Sequence, residues 1–323
     1  MTPRALPAFL TLAALALASC SRASTAGSGS VGPMGDQSTT PPSPDPRVGL
    51  KAGRTDPGVA AWNMRLVSNT PSPPGFAGAS NSDLAFRGNL AFQGNYNGFV
   101  VWDLSNPKKP RLEKPYLCPA SQSDVSVYGN LLFVSGEGLS GRLDCGPQGV
   151  QEAVSHHRLR GIRIFDATDV KNPKYVANVQ TCRGSHTHTV VTDPNDKDNV
   201  YIYVSGSAGV RPAEELPGCS ALAPDQDPNS ALFRIEVIKV PLANPAEAKI
   251  VSSPRIFQGL AAPPRHAGTP VDTSAAARAA AATRTGPTQC HDITVYPAIG
   301  LAGGACGGYG LLLDISDAAN PKR

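Results

Sequence analysis

The feature that most constrains this chain is a strand-rich motif that recurs four times. Each copy is a β-rich run that ends in a polar turn containing Asn-Pro, and the Asn-Pro pairs lie 66, 72 and 76 residues apart. The third copy departs from the others, with Lys239 where an Asp is expected. The copies span residues 98–107, 161–173, 233–245 and 310–321. Repetition on this scale indicates a propeller, a solenoid or another array.

Two more strand-like runs precede each copy, and one follows. In the first two copies a tight turn joins the upstream runs, at Gly88-Asn89 and at Gly129-Asn130. The repeating unit therefore has four strands, A to D, with a variable loop between B and C. Strand units without helices favour a β-propeller, in which radial repetition protects the sheet edges. The spacing of the copies exceeds the roughly 40–50 residues of common propeller repeats. The additional residues fall in insertions at 135–160, 205–230 and 252–289. In the last insertion a short Ala-rich helix is predicted at 274–283.

Two strings carry a resemblance to a known family. Val-Val-Trp-Asp-Leu-Ser-Asn-Pro, from Val100 to Pro107, and Leu-Leu-Leu-Asp-Ile-Ser, from Leu311 to Ser316, resemble LVIVD-repeat proteins. The resemblance covers most of residues 63–323. It implies an all-β fold of four-stranded antiparallel propeller blades and a cell-surface location, and it brings no established catalytic set.

The number of blades is open at this point. Residues 63–68 look like a strand D without its own strands A to C, and such a strand would close a ring of four blades. Alternatively, the sequence is part of a larger ring of roughly six to eight blades. Because the sequence stops inside a turn motif, we favour the larger ring.

The N-terminus has the pattern of an export signal. Arg4 precedes an apolar run that is too short to span a bilayer. Leu17-Ala18-Ser19-Cys20 resembles the bacterial lipobox, which implies cleavage before Cys20 and a lipid on its thiol; the alternative is an ordinary signal peptide. We therefore divide the chain into a signal peptide (1–20), a disordered Ser/Pro/Gly-rich tether (21–58) and the blades (59–323). The expected location is the cell envelope, with membrane attachment through Cys20.

Six cysteines remain after Cys20, and an even number behind an export signal predicts disulfides. In the second and third blades one cysteine precedes strand A and one follows strand B. In the fourth blade two cysteines bracket the same hairpin. The repeat therefore predicts three sequential bridges: Cys118–Cys145, Cys182–Cys219 and Cys290–Cys306.

The candidate site comes from aligning the starts of the A strands. Because strand A is innermost in a propeller, polar residues there are expected to ring one mouth of the central channel. Carboxylates and imidazoles that converge there can bind a divalent cation or polarise a substrate. The alternative is that the Asp residues bond to backbone and fix blade geometry. The candidate metal ligands are Asp83, Asp124, His188, His291 and Asp292.

Other polar motifs predict structure rather than chemistry. Asp103, Asp166 and Asp314 end strand C and are expected to bond turn amides. His156-His157 and the acidic turn at 193–198 are interpreted as exposed loops.

The sequence contains no catalytic motif of the nucleophile-elbow or Walker type. The net charge of +4 is spread without a basic run, which argues against nucleic-acid binding. The leading hypothesis is a binding scaffold, without catalysis, that recognises an extracytoplasmic protein or glycan through its insertions. The alternatives are a metal-dependent hydrolase or lactonase-like propeller with an Asp/His site at the channel mouth, and a structural envelope protein.

Overall fold

The structure is a computed structural model that describes residues 37–54, 56–260, 274–275 and 288–323. The chain divides into two compact units, residues 1–67 and 68–323. In the first unit, the described residues form turns but no helix or strand. The predicted signal peptide with Cys20 lies outside the described residues, as does almost all of the predicted helix at 274–283.

The second unit contains four separate antiparallel sheets in which strands follow each other in chain order. The first is β1 (Asn81–Arg87), β2 (Leu90–Asn95), β3 (Gly98–Asp103) and β4 (Arg111–Leu117). The second is β5 (Val125–Tyr128), β6 (Leu131–Gly136), β7 (Gly161–Asp166) and β8 (Lys174–Gln180). The third is β9 (His188–Asp193), β10 (Asp196–Val204), β11 (Glu236–Pro241) and β12 (Lys249–Ser252). The fourth is β13 (Asp292–Tyr296), β14 (Leu301–Cys306) and β15 (Tyr309–Asp314). Short 3₁₀ turns occur at Pro245–Glu247 and Pro297–Ile299. The predicted all-β fold of four-stranded propeller blades is confirmed.

The first strand of each blade is the innermost one. β1 contacts β5, β5 contacts β9, and β9 contacts β13. Residues from all four of these strands line one cavity of about 580 Å³. Strand A of each blade therefore faces a shared central channel, as the repeat predicts.

Apolar side chains hold successive blades together. Phe99 and Val101 of the first blade pack in one cluster with Phe165 of the second, and all three are fully buried. A second cluster joins the second blade to the third, and a third joins the third blade to the fourth. Burying one such side chain contributes roughly 1.5–3 kcal/mol, so these interfaces supply much of the stability of the unit.

The outer face of the fourth blade is uncovered by the described residues. Strand pairing makes Leu312 the equivalent of Val101 and Ile164, which are 0% exposed, yet Leu312 is 65% exposed. Gly303 stands where the first and second blades place the buried Phe92 and Phe133. This face therefore lacks both the cover and the large side chains of the other blades.

The Asp that ends strand C has the predicted structural role. In the second blade, Asp166 Oδ1 accepts hydrogen bonds from the backbone N–H (2.9 Å) and the hydroxyl (2.6 Å) of Thr168. Asp103 and Asp314 accept the same pair of bonds from Ser105 and Ser316. The Thr168 hydroxyl is the main cause of a lowered pKa at Asp166. These carboxylates fix the turn that leads into strand D.

The third blade places Lys239 at this position, as the repeat predicts. The pairing of its strands C and D has a bulge between Val237 and Ile238, and the second blade has the same bulge between Ile164 and Phe165. Lys239 then pairs with Lys249 as Asp166 pairs with Lys174. The Nζ of Lys239 lies 3.2 Å from Asp196 Oδ2.

Residues 63–68 form no strand, so the prediction that they complete a blade is wrong. The strand D position of the fourth blade instead begins at Lys322, which exchanges two backbone hydrogen bonds with Asp314 (2.7 and 2.9 Å). Lys174 pairs with Asp166 at the same sequence separation in the second blade. The apolar side chains of this segment are exposed, with Met64 at 80% and Leu66 at 78%.

All three predicted disulfides are present: Cys118–Cys145, Cys182–Cys219 and Cys290–Cys306. The first two connect a B–C insertion to the segment that enters its own blade. These insertions are residues 137–160, between β6 and β7, and residues 205–235, between β10 and β11. Each bridge therefore restrains a long loop that strand pairing alone leaves free.

Removing a bridge should destabilise the blades, and the loss should be larger for the bridge that closes the longer loop. The chain-entropy relation gives about 4 kcal/mol for Cys182–Cys219 and about 3 kcal/mol for the shorter Cys290–Cys306 loop. We expect the Cys182→Ser/Cys219→Ser variant to lose more stability in urea unfolding than the Cys290→Ser/Cys306→Ser variant. Equal losses, or a Cys145–Cys182 peptide in non-reducing mapping, would contradict this assignment.

Candidate functional site

Three polar features lie where the A strands begin and the insertions emerge. The channel-mouth cluster comprises Asp83, Asp124, Ser135, Ser185 and His188. The histidine pair comprises His186 and His291 with their carboxylate partners Glu137 and Asp292. The insertion groove is a cavity between insertions 137–160 and 205–235.

The channel-mouth cluster is centred on His188 at the start of β9. Its buried side chain places Nδ1 3.1 Å from Asp124 Oδ2 and 2.9 Å from Ser135 Oγ. The backbone N–H of His188 also donates to Asp124 Oδ2, at 2.8 Å. Ser135 Oγ lies 2.7 Å from Ser185 Oγ. Because Asp124 precedes β5 and His188 begins β9, these bonds join the second blade to the third.

Asp83 brings the first blade into this cluster. Partial burial, reinforced by the negative charge of Asp124, raises the pKa of Asp83. Burial would also raise the pKa of Asp124, but its charge interaction and hydrogen bonds with His188 outweigh that effect and lower it. The two carboxyl groups share a hydrogen bond. Of the two carboxyls, Asp83 therefore keeps its proton to the higher pH, and Asp124 ionises first.

The sequence alignment of the A strands is shifted by one residue in the third blade. Thr189 pairs with Tyr203 as Thr294 pairs with Gly303, so Thr187 takes the position of Asp292. His186, and not His188, is therefore the equivalent of His291. Thr189 Oγ1 donates to the Ile293 carbonyl at 2.5 Å and so links the third and fourth blades.

The five predicted metal ligands do not meet at one point. Asp83, Asp124 and His188 belong to the channel-mouth cluster, whereas His291 and Asp292 form a separate pair. Over the described residues, no three His, Cys, Asp or Glu side chains form a group that could hold a metal ion. His188 Nε2 is buried and has no hydrogen-bond partner. The cluster thus binds blade to blade, and a divalent cation at the channel mouth stays a prediction.

The histidine pair includes a residue that the sequence did not single out. His186 Nδ1 lies 2.8 Å from Glu137 Oε2, and His291 Nδ1 lies 2.6 Å from Asp292 Oδ2. The two imidazole centroids are 5.1 Å apart at an interplanar angle of 69°. The signal for His186 was present in the sequence Ser-His-Thr-His, but its partner Glu137 lies 49 residues away.

The insertion groove has a volume of about 410 Å³ and a floor of buried charged side chains. Glu215 pairs with Arg158 and, at 2.7 Å, with Arg211 Nε. Its Oε2 also accepts the Ser155 backbone N–H at 3.0 Å. Arg158 and Ser155 belong to insertion 137–160, and Glu215 belongs to insertion 205–235. The network therefore fixes the two insertions against each other.

Arg160 lies beside this network without a carboxylate partner among the salt bridges of the described residues. It is 3% exposed and donates to the carbonyls of Glu137 (3.0 Å), Gly209 (2.9 Å) and Arg183 (3.3 Å). Burial, reinforced by the charge of Arg211, lowers its pKa to about 10. At neutral pH its charge is still present, and with Arg211 behind the groove three arginines face the two carboxylates Glu137 and Glu215.

The comparisons with known proteins identify the repeat. The LVIVD repeat family matches residues 78–117, which cover β1 to β4. The first blade is an LVIVD repeat. The other three sheets also consist of antiparallel strands that follow each other in chain order.

None of the curated proteins matches the sequence. Among the matching solved structures is the hydrazine synthase of Kuenenia stuttgartiensis, at 10% identity and a TM-score of 0.38. The matched region covers 69% of this chain and 42% of that chain. The chain thus spans less than half of the length of that structure.

The disulfides indicate the compartment of the blades. Structural disulfides form and persist in oxidising environments and are rare in the cytoplasm, so three bridges indicate a location outside the cytoplasm. In the described part of the chain, no helix has the length and apolar character needed to cross a bilayer.

The two carboxyls of the channel mouth should respond differently to amidation. Asp124→Asn removes the acceptor for His188 and should lower stability by about 1–3 kcal/mol. Asp83→Asn keeps a donor toward Asp124 and should not lower stability at neutral pH. The folded pKa of Asp83 is raised above its unfolded value of 3.8. Its ionisation therefore costs stability as the pH rises through this range, and Asp83→Asn should remove that loss.

Urea unfolding of both variants between pH 4 and pH 7 measures these effects. Equal destabilisation by the two substitutions would contradict the opposite directions of the two pKa shifts.

Proposed function

We propose that this protein is a lipid-anchored β-propeller of the cell envelope that acts as a binding scaffold for an extracytoplasmic protein or glycan. The observation that carries the proposal is the insertion groove. Its walls come from two long insertions, and a disulfide ties each insertion to its own blade.

The groove is held in place before any partner arrives. Glu215 is buried between Arg158 and Arg211, and removing either insertion would leave buried charge without a partner. Such a network resists rearrangement of the loops. A surface that is ordered in advance loses less conformational entropy on binding, which favours affinity.

The chemistry of the groove favours an acidic group beside an apolar surface. Arg160 supplies a charge that no carboxylate neutralises directly, and guanidinium groups recognise carboxylates well. The apolar component comes from the insertions themselves, where Leu139 lines the groove and is 65% exposed. An acidic glycan or an acidic protein segment has both features.

Attachment to the membrane rests on the sequence around Cys20. Cleavage before this residue and acylation of its thiol would leave the following segment as a spacer between the lipid and the blades. Metabolic labelling with a fatty-acid analogue should mark the wild-type protein and leave Cys20→Ala unlabelled. Labelling of both proteins, or of neither, would contradict the anchor.

Binding through the groove can be tested with polygalacturonate and poly-L-glutamate as acidic probes, and with dextran as the neutral control. At low ionic strength we expect an acidic probe to bind and dextran not to bind. Leu139→Ser should weaken binding about tenfold, since it removes apolar contact area at the groove rim. The matched control is Leu312→Ser, because Leu312 is also 65% exposed but lies on the fourth blade.

The result that would contradict the proposal is equally specific. Equal binding by Leu139→Ser and the wild type, or the absence of binding to both acidic polymers, would remove the groove as the recognition surface.

A further inference from the structure

We propose that His186 and His291 form a two-imidazole site for a transition metal ion, Zn²⁺ or Cu²⁺, at the end of the third and fourth blades. The site is separate from the insertion groove, and it does not rest on the proposed binding function. It also differs from the set of metal ligands predicted at the channel mouth. The proposed site contains His186, which that set lacks, and it does not use Asp83, Asp124 or His188.

The hydrogen bonds of the pair fix the tautomer of both rings. A carboxylate can only accept a hydrogen bond, so Nδ1 of His186 donates to Glu137 and Nδ1 of His291 donates to Asp292. In a neutral imidazole the other nitrogen, Nε2, then carries the free lone pair. A carboxylate on one nitrogen and a metal on the other is the recurrent arrangement of histidine ligands, where the carboxylate orients the ring and increases its basicity.

The spacing of the rings suits one shared ion. Two imidazoles bound to a tetrahedral Zn²⁺ at about 2.0–2.1 Å place their centroids roughly 5 Å apart. The observed centroid separation is 5.1 Å. The side chains of His186 and His291 are 27% and 66% exposed, so an ion in solution can reach them.

Both histidines are held by contacts that do not involve a metal. Ser207 Oγ donates to Glu137, which anchors the carboxylate behind His186. Thr187 Oγ1 donates to the carbonyl of His291 and ties the two segments together. His186 follows the half-cystine Cys182, and His291 follows Cys290 directly. The pair is therefore organised in advance, which lowers the cost of binding an ion.

The remaining coordination positions are open. No third protein ligand joins the pair within the described residues, so water or a group from outside the chain would complete the coordination. Imidazole ligands suit Zn²⁺ and Cu²⁺, and affinity for a nitrogen site is highest for Cu²⁺ in the divalent series.

The test is a metal titration of the full chain with intact disulfides. Calorimetry with ZnCl₂ should show one ion bound per chain, and electron paramagnetic resonance with CuSO₄ should show coupling to imidazole nitrogens. His186→Gln and His291→Gln should each lower the Zn²⁺ affinity at least tenfold. Glu137→Gln should lower it about 10–100-fold, because it removes the carboxylate that orients His186.

The chain offers a matched control in His156-His157, a pair of exposed histidines in insertion 137–160. His156→Gln/His157→Gln should leave the Zn²⁺ affinity unchanged. Urea unfolding of each variant separates loss of the ion from loss of the fold, and the exposed His291 gives a variant that is expected to fold normally.

Three results would overturn the site. These are the absence of Zn²⁺ and Cu²⁺ binding by the wild type, undiminished binding by His186→Gln/His291→Gln, and loss of binding in His156→Gln/His157→Gln. None of them bears on binding of acidic polymers to the insertion groove.

Discussion

The packing of each blade against the next is the constraint on which the rest of the structure depends. A four-stranded antiparallel sheet with two apolar faces is not stable alone, because both faces must be covered. In this protein Phe99 and Tyr116 of the first blade pack against Phe165 of the second, with ring centroids 5.2 Å from Phe165 in both cases. The same packing brings the A strands side by side around the channel. Only then do Asp83, Asp124 and His188, from three different blades, come within hydrogen-bonding distance.

The blades, the channel and the disulfides could be predicted from the sequence, because equivalent positions of a repeat occupy equivalent places in the fold. Four copies of one motif specify four sheets, the position of strand A specifies the channel, and the place of each cysteine in the repeat specifies its partner. The errors occurred where the repeat is irregular. In the third blade Thr187 takes the place of the Asp that starts strand A, so that His188 lies one residue off the column, and Lys239 replaces the turn Asp. Sequence spacing cannot reveal such a shift, since only the hydrogen-bonded partner defines the register.

The functional features were harder to predict for a different reason. The insertion groove depends on Glu215 meeting Arg158 from another insertion, and the histidine pair depends on Glu137 meeting His186. These contacts join segments that follow no repeat, so no pattern places them together. Both features nevertheless use the same device: a disulfide or a buried ion pair fixes a long loop on a rigid blade. A rigid blade then holds the binding groups of its loops in defined positions.

A double-mutant cycle between Phe99 and Phe165 tests most directly whether the blades pack as described. Each residue would be replaced by Leu singly and together, and the free energy of unfolding would be measured in urea. Packing of the two rings across the blade interface predicts a coupling energy of about 0.5–1.5 kcal/mol between the substitutions. Strictly additive effects would contradict the blade packing, and with it the shared channel, the channel-mouth cluster and the placement of the insertions.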